Sequence, residues 1–118
     1  MANQRNGHLG AAVGDEPTYE ILRDGHKTTV WLAGDLDFAT VAEVRPAMEE
    51  ECARSPGQLV LDLSRVEFLD SSGVSLLVTV HKRLAADGCS LVVTNPSPAA
   101  SRVLQVAVVD QVLSITHT

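Results

Sequence analysis

Aromatic rings are scarce in this 118-residue chain, which has two Phe, one Trp and one Tyr, and nine Lys and Arg stand against fifteen Asp and Glu for a net charge of −6. With no basic run to track phosphates and no aromatic cluster to stack bases, nucleic acid is not expected as a direct partner. Cysteine is equally sparse: Cys52 and Cys89 form no Cys-x-x-Cys pair and have no paired His nearby, so neither a disulfide frame nor a zinc site is expected. No apolar run reaches the roughly 18 residues of a membrane-spanning helix, and no basic amphipathic face suits a membrane surface. Leu9 to Val13 is too short, and too close to glycine, for a signal-peptide core. A cytoplasmic setting is the expectation. The glycines form no run ending in Gly-Lys-Ser/Thr, so any nucleotide would have to arrive with a partner, and no cofactor is expected.

What is present fits one domain large enough for a hydrophobic core. Residues 1–16 lack periodicity and read as a flexible tail, leaving 17–118 for the folded domain. Thr18 to Leu22 and Thr28 to Ala33, separated by Arg23-Asp24-Gly25-His26, read as a hairpin. Thr40-x-x-Glu43 fits a capping box, and Val41, Val44, Met48 and Cys52 recur at helical spacing, with Pro46 predicting a local kink or a later helix start. Gln58 to Leu63 reads as a strand buried on both faces. Val74, Leu77, Val78, Leu84 and Ala85 mark a second helical stripe, Ser90 to Thr94 a strand, Ser97-Pro98 a helix start, and Val112 to Ile115 a last strand. The alternation of strand and helix after the hairpin predicts an α/β fold with right-handed crossovers and a sheet covered by helices.

Between the strand at Leu59 to Leu63 and the second helix lies Asp70-Ser71-Ser72-Gly73. A helix start leaves backbone N–H groups unsatisfied at the positive end of the macrodipole, so a serine there can cap the helix and, phosphorylated, occupy an anion site. Ser and Asp are also the ordinary capping residues, and that role alone accounts for them.

This block resembles the centre of the bacterial anti-sigma factor antagonists of the STAS family, in which an apolar strand and short loop lead to Asp-Ser-Ser/Thr-Gly at a helix entrance. Gly34-Asp35-Leu36-Asp37 is similar to the family's Gly-Glu/Asp-Leu-Asp turn, and Ser97 to Leu104 to its late Ser-Pro helix, so the resemblance runs from about residue 17 to 115. It implies a small STAS-like sandwich with a mixed central sheet of about five strands. It further implies a non-enzymatic antagonist that docks on an anti-sigma factor of the serine kinase type, releases the sigma factor, is switched off by phosphorylation and is restored by a serine phosphatase. The acceptor matching the family motif is Ser71, with Ser72 the competing hydroxyl. Asp37 matches a family residue near the phosphorylation loop, or simply caps the following helix. Asp70 would orient the loop, and Gly73 would allow close approach of backbone or partner. Val74-Ser75 stands where the family commonly continues Leu-Gly, and Ala107 where a glycine often follows the last helix. The alternative is a STAS-type accessory subunit binding a transporter ATPase or a larger signalling assembly.

A serine hydrolase fits less well. Gly-x-Ser-x-Gly is absent, and His8, His26, His81 and His117 are not placed to act as the base; His81 reads as a polar helix edge. Asp35, Asp37, Asp62 and Asp70 lack a defensible metal-ligand spacing, and Asp62 reads as pointing outward or meeting a backbone donor.

Overall fold

The structure, a computed structural model, describes residues 18–106 and 114–116. The tail assigned to residues 1–16, His8, His117, Val112 and Ala107 lie outside the described residues. The order is β1 (Thr18–Asp24), β2 (Lys27–Leu36), α1 (Phe38–Ala53), β3 (Gln58–Leu69), α2 (Ser71–Ala86), β4 (Ser90–Thr94), α3 (Pro98–Val106) and β5 (Ser114–Thr116). Four strands of five residues or more make a mixed sheet, joined at its edge by the three-residue β5, in the spatial order β1-β2-β3-β4-β5. The β1–β2 pair is antiparallel and the remaining pairs are parallel. This is the expected α/β architecture.

Pairing of Asp24 with Lys27 leaves Gly25 and His26 as a two-residue loop, tighter than the segment read from sequence. From there the register carries one apolar row across the sheet, Ile21 opposite Val30, then Leu61, then Val93, all buried. The helices supply the other half of the core: Val41, Val44, Met48 and Cys52 from α1, Leu76, Leu77, Val80 and Leu84 from α2, and Ala100 and Leu104 from α3. With so few rings in the sequence, this packing is almost wholly aliphatic. The α1 and α2 helices contact each other over the central strands, and α3 packs against β3.

Several expectations need correction. The stripe on α2 includes Leu76 and Val80, whereas Val78 is half-buried and Ala85 exposed, because the covered face is wider than a narrow one-sided seam. Within β3, Leu59, Leu61 and Leu63 are buried but Val60 is only half-buried, so the strand is fully covered on one face and partly on the other. Asp62 shares the less covered face, where its Oδ1 accepts from the Ser64 amide at 2.9 Å and the Ser64 hydroxyl at 2.6 Å, the backbone-donor role anticipated for it. Pro46 sits inside α1, which starts at Phe38, earlier than the Thr40–Glu43 pattern implied. Gly34 to Leu36 is not a free turn. It remains in β2, with register shifts between Trp31 and Ala33 and between Gly34 and Asp35, and Gly34 takes the positive φ of 92° that such an irregularity favours in glycine.

One buried charge links β1 to α1. Glu51 is 1% exposed, accepting from Arg23 Nε at 3.1 Å and Nη2 at 2.5 Å, with Arg54 Nε 3.7 Å away. The bidentate fork compensates a carboxylate that would otherwise be very costly to bury. Leu77, fully buried on α2, tests the packing. Leu77→Ala should lower stability by about 2–5 kcal/mol through lost burial and a residual cavity. The check is the midpoint of urea unfolding, which should fall without a change in slope.

Candidate functional site

Strands β2 and β3 run parallel and end side by side, Leu36 paired with Leu69, and each hands directly to a helix through one aspartate. Asp37 is the N-cap of α1. Its Oδ1 accepts from the amides of Ala39 and Thr40, both at 3.0 Å, while the Asp37 amide donates to Thr40 Oγ1 at 3.0 Å, so the capping box is Asp37–Thr40 rather than Thr40–Glu43. The Thr40 hydroxyl donates to the Asp35 carbonyl at 2.7 Å. Led by the bond from the Thr40 amide, this set holds the Asp37 carboxyl below its ordinary range.

Asp70 does the same for α2 and then does more. Its Oδ1 accepts from the amides of Ser72 at 2.8 Å and Gly73 at 3.2 Å, its Oδ2 accepts from the Phe38 amide of α1 at 3.2 Å, and its own amide donates to the Leu36 carbonyl at 3.2 Å. One carboxylate therefore ties together two helix starts. The serine does not cap the helix, as the sequence had left possible; the aspartate does.

Gly73 is buried, and a Cβ there would come within 2.8 Å of the Leu36 carbonyl oxygen and overlap the Leu69 side chain. Of the two approaches open to it, the one present is backbone: α2 is pressed against the junction of β2 and β3.

With Asp70 and Gly73 turned inward, Ser71 is exposed and Ser72 half-exposed. Both open, together with Ser75, onto a groove of about 570 Å³ between α1 and α2 whose other wall is Phe38, Ala39, Val41, Ala42 and Arg45. The chain's two phenylalanines are both exposed, Phe38 by 83% and Phe68 by 50%, and each lies within two residues of a capping aspartate. Sequence reasoning missed Phe38, Arg45 and the groove itself. A phenylalanine directly after an N-cap aspartate was the available signal.

Among the described residues, Arg45 is the one ionisable side chain lining the groove. His81 is half-buried, its Nδ1 without a hydrogen bond, and it does not line the groove. Among the described residues no group of three or more His, Cys, Asp or Glu could hold a metal ion. No helix among them is long and apolar enough to cross a membrane.

A family model described as Mlab, STAS domain, matches residues 20–115. The chain belongs to the STAS domain family. Its relatives include an anti-sigma F factor antagonist of Paenibacillus polymyxa, 30% identical over 87 residues covering 73% of this chain and 74% of that protein. A STAS-domain containing protein of Pseudomonas aeruginosa is 27% identical over 93 residues, 79% of this chain and 91% of its own length. Among solved structures, an anti-sigma factor antagonist from Mycobacterium paratuberculosis superposes with a TM-score of 0.81 at 27% identity, covering 89% of each chain. The mixed sheet and helices of this STAS domain thus have a counterpart in a protein described as such an antagonist.

The Asp37 cap gives a prediction with a definite sign. Because its folded pKa lies below the unfolded value of about 3.9, the stabilisation is fully present above that value and is lost as pH falls through the folded pKa. Asp37→Asn should therefore show a shallower loss of stability below about pH 4 than the unaltered protein. Denaturation midpoints measured between pH 2 and 6 for both forms check this.

Proposed function

We propose that this STAS domain is an anti-sigma factor antagonist: it docks, unmodified, on a kinase-type anti-sigma factor, frees the sigma factor, and is switched off by phosphorylation of Ser71. The partner class comes from the relatives named as anti-sigma factor antagonists. The observation that carries the choice of residue is the exposure of Ser71 at the mouth of the α1–α2 groove, with Ser72 turned partly inward. A kinase must bring the γ-phosphorus of ATP in line with the serine Oγ; the new O–P bond forms as the bond to ADP breaks, and the hydroxyl proton leaves to the kinase or to water. An exposed hydroxyl meets that requirement better than a half-covered one. Among the described residues no histidine or carboxylate lines the groove beside the serines, which fits a substrate and ligand of the kinase.

Docking needs apolar contact as well. An exposed ring beside a small-residue groove is the form of an interface anchor, and Phe38 on the rigid first turn of α1 loses little entropy when covered. A phosphate on Ser71 would place about 1.5–2 negative charges within that contact, next to Asp70, and docking would have to desolvate them. A serine phosphatase then restores the neutral surface.

Two measurements test this. Incubated with its cognate kinase-type anti-sigma factor and ATP, the protein should acquire one phosphate at Ser71. Ser71→Ala should keep binding without being inactivated, and Ser71→Asp should bind more weakly. Mass mapping and a binding titration decide it: phosphate confined to Ser72 moves the switch by one residue, and equal affinity of the modified and unmodified forms removes the mechanism. Separately, Phe38→Ala should weaken partner binding by about 10-fold or more while leaving the unfolding midpoint within about 0.5 kcal/mol of the original. Calorimetric titration and urea unfolding of the same preparation read the two quantities.

A further inference from the structure

Two of the amides that would ordinarily receive a phosphate at the start of α2 are already engaged. Ser72 N and Gly73 N donate to Asp70 Oδ1, so a phosphate on Ser71 would arrive beside a carboxylate that occupies the helix N-terminus. The charge of that phosphate must be met elsewhere. Among the described residues the groove offers one cation. Arg45 lies seven residues, about two turns, after Phe38 on the wall of α1 that faces Ser71, Ser72 and Ser75. It is half-buried, and among the described residues it forms no ion pair, unlike Arg23 and Arg54, which are both spent on Glu51. Helical side chains lean toward the N-terminus of their helix. That lean carries a side chain at position 45 back along the groove toward Phe38, the end at which Asp70 joins the two helix starts.

We propose that Arg45 is the receptor of the switch phosphate within the same chain: when Ser71 is phosphorylated, the Arg45 guanidinium spans the α1–α2 groove and pairs with it. The inference rests on Ser71 being the modified residue. It assigns to one side chain a function that nothing in the unmodified protein requires of it. An arginine fork donates two parallel hydrogen bonds to a phosphate, a geometry a lysine cannot reproduce. The pair would lie across the groove beside Phe38 and fill the surface the partner needs, so the modification acts by occupying the docking groove as well as by adding charge.

The test avoids the kinase. Phosphoserine introduced at position 71 during translation is titrated by ³¹P NMR in the full chain, alone and with Arg45→Gln or Arg45→Lys. Asp37 and Asp70, at the two helix N-caps, and the N-terminus of α2 act on the phosphate equally in all three proteins, so the difference isolates Arg45. A nearby cation favours the dianion, and the second phosphate pKa, ordinarily about 6, should be lower with Arg45 than with Gln by about half a unit or more. Arg45→Lys should retain part of that difference, since it keeps charge without the fork. Coincident titration curves for Arg45 and Gln overturn the proposal. Absence of phosphate at Ser71 after incubation of the unmodified protein with its kinase partner would instead remove the regulatory reading, and the phosphoserine titration would still decide what Arg45 does.

Discussion

The Asp70 carboxylate is the junction on which the site depends. Parallel pairing brings the ends of β2 and β3 together, so the helices that follow begin next to each other with eight unsatisfied amides between them. One carboxylate answers three of those amides, two on α2 and the first on α1. An N-cap is typically worth about 1 kcal/mol. This one also sets the spacing of the helices, because the oxygen bonded to Phe38 cannot move without disturbing the oxygen bonded to Ser72 and Gly73. Gly73 closes the arrangement from beneath, since no side chain fits between α2 and the Leu36 carbonyl.

From that constraint comes the division of labour in Asp70-Ser71-Ser72-Gly73. The first and last residues are structural, one turned to the amides and the other to the core, and the hydroxyls between them are left for the surface. The same arrangement withdraws the helix start from service as an anion site. A short motif at a helix entrance suggests that the positive end of the dipole will take the phosphate, but here a carboxylate already sits there. Among the described residues, the cation lining the groove is Arg45, which forms no ion pair there.

Much of the fold was legible because its periodicities are strong. Val41, Val44, Met48 and Cys52 are all buried on α1 as their spacing requires, and the alternation of strand and helix led to a sheet covered by helices, while its mixed pairing was what the family resemblance implied. The errors share a cause, which is that tertiary contacts are invisible to local pattern. Thr40–Glu43 imitates a capping box, yet the chain is bound to begin α1 at Asp37 because β2 ends there against β3. Nothing in the local pattern marks Glu51 as buried, and only the return of β1 brings Arg23 to it. A continuous apolar run in β3 hid its alternation, so Val60 was assigned more cover than it has. At the site, the Asp-Ser-Ser-Gly motif was legible, and its serine hydroxyls do open to the surface. Phe38 and Arg45 were not, since the groove they line exists only where two helices distant in sequence meet.

The way the site is held together also bears on what kind of switch it can be. A switch that works by rearrangement needs a second packing of nearly equal energy. Here α2 is seated on Leu36 through Gly73, pinned to α1 through Asp70 and backed by Leu76, Leu77 and Val80, so shifting it would expose apolar surface and uncap helix amides together. A phosphate on Ser71 forces no such movement, because the residue already faces water. Under the proposed switch, the response to phosphorylation is therefore a change of surface charge and of the Arg45 side chain on a fixed backbone frame. A partner would sense whether the rim beside Phe38 carries a neutral hydroxyl or a phosphate, and the rigidity that makes the surface readable follows from the same two capping aspartates that hold the fold together.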